Sequence, residues 1–220
     1  MIPPEYQHPL YRPLTITRIS NEDAAVALLD AVVAVTGKVP SLDALAVIVG
    51  HSALETGNWG GGFKNWNWGN SKSSLEWPHT YFETGEDIGG RTVKFYPPHV
   101  SRDPEHIRQT RFRAFNTAAQ GAEHHLRLLT GGRYRAAYAR ALEGDVVGFC
   151  ELLYRPPGQN YGYYTGFTSR DAAGNVIRTP VQNYTDGLLR RMDEVDARLL
   201  AHVALEVHAA YGHLDKEPRQ

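Results

Sequence analysis

Ser41-Leu-Asp-Ala-Leu-Ala-Val-Ile-Val-Gly-His-Ser-Ala-Leu-Glu-Thr-Gly-Asn-Trp-Gly-Gly-Gly-Phe-Lys-Asn-Trp-Asn-Trp-Gly-Asn-Ser-Lys72 falls into two halves of opposite character. In the first half Leu42, Leu45, Val49 and Ser52 to Ala53 recur at helical spacing, with Ser41 as the capping side chain and a stop near Thr56-Gly57. That pattern predicts a largely buried helix. From Gly57 to Gly90 the chain is rich in Gly, Asn, Trp and Ser, too irregular for helix and too aromatic for a disordered linker, so an ordered, functional loop is expected. Glu55 stands at the joint between the two.

Outward from this stretch the pattern stays helical. Asn21 to Gly37 carries polar cap candidates and early acids at one end and a glycine at the other, and predicts a helix. Thr80 to Tyr96 has β-branched and aromatic runs flanking glycines, which predicts a small hairpin. Further helices are expected from Asn116 or Thr117 to Leu129, from Arg133 to Leu142, from Asp145 to Leu153, and as one long element from Pro180 to about His208. The fold class is therefore mainly α (α+β), with a small β-hairpin lobe. Residues 1–19 hold Pro3, Pro4, Pro9 and Pro13 and predict an extended N-terminal arm; residues 20–210 form the domain, and 211–220 a C-terminal tail.

At 220 residues the chain is long enough to bury one sizeable core without disulfides or metal. Its formal net charge of -1 leaves no broad basic face, so nucleic acid is not expected as a partner. Cys150 is the only cysteine, and its apolar neighbours suggest a buried small side chain rather than a nucleophile. The first residues lack a basic segment followed by an apolar one, and no run approaches membrane-spanning length, so neither a signal peptide nor a membrane span is expected.

The chemistry centres on Glu55. Glycosidic cleavage needs an acid that stays protonated near neutral pH, and an apolar helix end beside tryptophans supplies the desolvation that raises a carboxyl pKa. Trp59, Trp66 and Trp68 offer flat faces for sugar rings, while Asn58, Asn65, Asn67 and Asn70 offer donors and acceptors for hydroxyl and acetamido groups. A zinc site is the competing arrangement, since His51 and Glu55 are four apart on one helix face and His99, His124 and His125 are available. The His-Glu-x-x-His pattern is missing and adjacent histidines point to different faces, so no metal or organic cofactor is expected.

Ala53-Leu-Glu-Thr-Gly followed by Asn65-Trp-Asn-Trp-Gly-Asn-Ser-Lys72 resembles the Ala-Leu-Glu-Ser/Thr-Gly and Asn-Leu-Phe-Gly-Ile-Lys signatures of the bacterial and phage N-acetylglucosaminidases, glycoside hydrolase family 73 of the lysozyme-like superfamily. Phe112-Arg-Ala-Phe-Asn-Thr, Glu123-His-His-Leu-Arg-Leu-Leu, Arg133-Tyr-Arg-Ala-Ala and Tyr161-Gly-Tyr-Tyr-Thr resemble later segments of that family, so the likeness spans about residues 40 to 200. It implies a lysozyme-like hydrolase of peptidoglycan β-1,4 glycosidic bonds with Glu55 as catalytic acid. It also implies Trp68 and Gly69 in the loop and Tyr163 and Thr165 in a late turn lining the site. The family's second carboxylate lies on the hairpin; aligning Gly85 with the turn glycine puts Tyr81 in that place, with Glu83 two residues on. Glu83 is thus the second catalytic candidate, followed by Glu86 and Glu76. The chain departs from the pattern by one extra residue in Glu-Thr-Gly-Asn-Trp-Gly and by an insertion at 166–183 before Tyr184. Lytic transglycosylases share the fold and the single Glu, but their Gly-Leu-Met-Gln signature is absent. A glycan-binding or structural module with Tyr81 replacing the second carboxylate is the non-enzymatic alternative. Without an export signal, the wall is reached after lysis, from a phage particle, or through a secretion apparatus. Tyr6, Leu10, Tyr11 and Leu14 are the arm's candidate anchors for such a partner, unless the arm packs on its own domain.

Overall fold

A computed structural model of the chain describes residues 2–59, 63–88, 91–154, 164 and 168–211. Two capped helices begin the domain. In α1 (Asn21–Thr36) the Ser20 hydroxyl accepts the Asp23 N–H, and Gly37 closes the last turn at φ 71°. In α2 (Leu42–Thr56) Ser41 accepts the Ala44 N–H and Gly57 closes at φ 65°, a left-handed conformation that costs glycine nothing sterically. Every residue from Ala44 to Ala53 is buried, so α2 is enclosed around its whole circumference and is the central helix.

The other helices wrap it. They are α4 (Ala118–Thr130), α5 (Arg135–Leu142), α6 (Val146–Leu153), α7 (Pro180–Glu194) and α8 (Ala197–Tyr211), after a short α3 (Pro104–Gln109). Helices α1, α5, α7 and α8 pack on α2, while α4 lies along α1 and α6 along α5 and α7. Leu28, Leu45, Ile48, Leu126, Phe149, Leu188 and Leu200 meet in one core, each burial stabilising by about 1.5–3 kcal/mol. No helix among the described residues is long and apolar enough to cross a membrane.

Among the described residues, three two-stranded antiparallel pieces complete the mainly α fold: β1 (His79–Tyr81) with β4 (Arg111–Arg113), β2 (Thr84–Ile88) with β3 (Arg91–Phe95), and β5 (Ser169–Arg170) with β6 (Val176–Arg178). The segment expected to form one hairpin from Thr80 to Tyr96 thus splits. His79 to Tyr81 pair with residues 111–113, and only Thr84 onward turns back on itself. The expected single final helix is also two, because Asp196 sits at φ 49° and its carboxylate accepts the Leu199 N–H, starting α8 afresh. Helix α3, capped by Asp103 with Pro104 at its first position, is too short to show a helical period and was not expected.

The N-terminal arm packs on its own domain. His79 donates to the Leu10 carbonyl and Arg12 to that of His79, Thr17 donates to Phe63, and Asn65 donates to Thr15 while its side chain bonds Thr15 and Pro13. Tyr6 and Tyr11, two of the expected anchors, pack their rings on Tyr81 at 5.6 and 6.2 Å. The expected extended arm is bent at its start, by a 3-10 turn at Pro4–Gln7 and by a second turn closed by the Tyr11 N–H on the His8 carbonyl, and it runs extended only from Tyr11 onward. Each lost bond is worth about 1 kcal/mol, and each kcal/mol shifts melting by roughly 2–4 °C in a chain of this size. Deleting residues 1–19 is therefore expected to lower the melting temperature by about 10 °C in a thermal scan. An unchanged melting temperature would return the arm to a role outside the domain.

Candidate active site

A cleft of about 940 Å³ runs between the helical body and the β2–β3 hairpin. Glu55 and Thr56 of α2, His124 and Leu128 of α4, and Tyr134 line one side; Glu83 to Glu86 line the other. Gly69, Asn70, Ser71 and Lys72 come from the loop between them. Glu55 occupies the last turn of α2, and one-fifth of its side chain is exposed.

The loop after α2 is built from left-handed residues. Asn58, Trp59, Asn65, Trp66 and Asn70 all have φ between 46° and 61°, a conformation that costs roughly 1–3 kcal/mol at a bulky residue. Side chains hold it there. Trp59 is buried and donates its indole N–H to Ser52 Oγ at 3.1 Å; Trp68 is buried and donates to the Ala118 carbonyl at 2.9 Å. Asn67, also buried, donates to the Ser71 and Arg113 carbonyls, and Asn70 donates to the Glu55 carbonyl at 2.6 Å. Trp59, Trp68 and Asn67 were expected to touch substrate. The structure puts them beneath the loop instead, because an irregular backbone crossing a helical core needs its own packed and hydrogen-bonded support. Gly69 does line the cleft.

Burial raises the Glu55 carboxyl to about 7, an effect partly offset by the Tyr184 hydroxyl, which donates to Oε1 at 2.7 Å. The neighbouring imidazole supplies no charge to counter the burial. His51 Nε2 lies 3.9 Å from Oε1, yet His51 is fully buried, stacked on His125 at 5.5 Å and edge-on to Phe149. Desolvation first, then His125, keep its imidazole well below its ordinary pKa and hence neutral. Glu55 is thus a carboxyl able to hold its proton near neutral pH.

Tyr184 was missed as a site residue. It sits on α7, stacked on Tyr164 at 3.8 Å, and Tyr164 in turn donates to the Cys150 carbonyl, so its hydroxyl is aimed by packing. A donor to a carboxylate favours the charged form. Tyr184→Phe is therefore expected to raise the Glu55 pKa further and move the alkaline limb of a kcat–pH profile upward; an unmoved limb would exclude this role for Tyr184.

Across the cleft, Glu83 is half exposed and paired with Lys94 at 3.4 Å. Glu86 takes a 2.8 Å bond from Lys72 Nζ, which also donates to the Gln109 carbonyl and lies 4.0 Å from the Phe112 ring centroid. Glu76 is exposed and does not line this cleft. Tyr81 and Glu83, two residues apart, would share a face on one continuous strand, but β1 ends at Tyr81 and β2 begins at Thr84, so the alternation is broken between them. Tyr81 is buried against the arm and His79, while Glu83 lines the cleft. Tyr163 and Thr165 lie outside the described residues. Among the described residues no three His, Cys, Asp or Glu side chains are grouped to hold a metal.

No family model and no curated protein matches the chain. Three solved structures are similar to it. A peptidoglycan hydrolase mutant from Sphingomonas sp. A1 is 22% identical over 80% of this chain and 98% of that one, with a TM-score of 0.46. The glycoside hydrolase domain of Salmonella typhimurium FlgJ is 20% identical over 90% of this chain and 100% of that one, at 0.45. A C-terminally truncated form of that domain is 20% identical over 81% and 99%, at 0.44. At identities this low and superpositions this loose, no site residue is carried across from them.

Proposed function

We propose that the chain hydrolyses β-1,4 glycosidic bonds of peptidoglycan, in the manner of a lysozyme-like N-acetylglucosaminidase, with Glu55 as the general acid. The observation that carries this reading is a carboxyl raised by burial to about 7 and exposed to a cleft of sugar-binding size. Glu55 protonates the leaving glycosidic oxygen, and Tyr184 then stabilises the carboxylate left behind through the hydrogen bond it already makes. Glu83, on the opposite wall, is the group that activates water. The resemblance of Ala53 to Gly57 to the glucosaminidase signature supports the choice of peptidoglycan and of the bond that leaves a GlcNAc reducing end. Neither cofactor nor metal enters this scheme. Incubating the protein with purified cell-wall sacculi is expected to release new reducing ends in proportion to enzyme and time. Sacculi that gain none while remaining accessible to a control muramidase would overturn the proposal.

A further inference from the structure

A second groove of about 640 Å³ adjoins the cleft, the two sharing Arg113 and His124 in their linings. Trp77 lines that groove. It is 49% exposed, whereas Trp59 and Trp68 are buried and Trp66 is packed against the core. The Arg113 guanidinium lies over the Trp77 ring, 4.4 Å from its centroid. Its backbone is fixed by pairing with His79 and by the Asn67 side chain on its carbonyl. Among the described residues Arg113 forms no ion pair, while Glu123, the acid lining the same groove, is taken up by Arg127 at 2.6 Å. An anchored guanidinium at the junction of two cavities is a fork for a carboxylate, and an exposed indole beside it is a platform for a sugar ring.

We infer that this groove is an accessory subsite for the peptide-bearing sugar next along the strand, stacked on Trp77, with Arg113 pairing a carboxylate of its stem peptide. The inference rests on the proposed peptidoglycan hydrolysis and specifies its substrate as long, peptide-substituted strands. Arg113 adds the preference for the peptide; Trp77 adds the preference for length.

The test compares kcat/KM on three substrates: long peptide-bearing glycan strands, the same strands stripped of peptide by an amidase, and a fragment cut back to the sugars flanking the scissile bond. For Trp77→Ala the ratio of long-strand to short-fragment kcat/KM is expected to fall about tenfold, through KM, and Trp77→Tyr, which keeps a flat ring, to restore most of it. For Arg113→Gln the ratio of peptide-bearing to stripped strands is expected to fall by a similar factor. An unchanged ratio in Trp77→Ala, or equal losses on long and short substrates, would overturn the subsite while leaving the hydrolysis standing. A wild-type protein that cleaves none of the three would overturn the hydrolysis itself, and the subsite with it.

Discussion

Glu55→Gln is expected to cut release of reducing ends from purified walls by about a thousandfold, the scale on which a positioned general acid contributes. The amide keeps the shape of the side chain and removes the proton that the proposed step delivers. A second consequence concerns stability, with a sign set by the pKa. The folded carboxyl titrates at about 7 and the ordinary value is 4.5, so the folded state holds its proton more tightly than the unfolded one. Below pH 4.5 both states are protonated and the group costs nothing. As pH rises from 4.5 to 7 the unfolded state ionises first, and stability falls; above 7 the cost is fully developed, at most about 3 kcal/mol. Glutamine cannot ionise. The variant should melt with the wild type at pH 4 and several degrees above it at pH 8. Equal melting differences at the two pH values would contradict the burial of an ionisable Glu55.

Gly121→Ala is expected to be the most damaging small substitution away from the chemistry. Gly121 lies in the first turns of α4, where a Cβ would be driven into the Trp66 backbone carbonyl and against the Trp68 ring. A backbone oxygen cannot swing aside as a flexible side chain does, so either α4 backs away from the core or the loop shifts. Overpacking of this kind costs roughly 3 kcal/mol, or about 6–12 °C of melting temperature in a chain of this size. Activity should fall with it, because the displaced segment leads directly into Gly69, Asn70 and Lys72 on the cleft wall. A Gly121→Ala protein with wild-type melting and turnover would show that α4 and the loop are not in this close contact. The same exchange at Gly50 drives the new Cβ onto Met192 Cγ, near the root of that side chain, and is expected to destabilise as well.

The central helix and the acid at its end were legible from local chemistry alone. Ser41 and Gly57 mark its ends, and the run from Ala44 to Val49 is apolar on every face, which requires an interior helix. The mainly α fold followed from caps at Thr117 and Asp145 and from Pro180 opening α7. Long-range geometry was not legible. Tyr184 is 129 residues from Glu55 in sequence, and nothing local to α7 says that its hydroxyl meets a carboxylate on α2. Composition predicted an aromatic, asparagine-rich loop, yet it cannot say which way an indole faces. Trp59 and Trp68 turned inward, and Trp77, not singled out from sequence, remained outside. The pairing of His79 to Tyr81 with residues 111–113 was hidden for the same reason, because a strand of three residues has too few positions to display a period.

The most direct measurement is mass spectrometry of the products from purified peptidoglycan treated with the wild-type protein and with Glu55→Gln. Reducing GlcNAc ends from the wild type and none above background from the variant are the predicted result. Intact strands from the wild type, equal product from the variant, or anhydro-MurNAc ends in place of reducing ones would contradict hydrolysis with Glu55 as its acid.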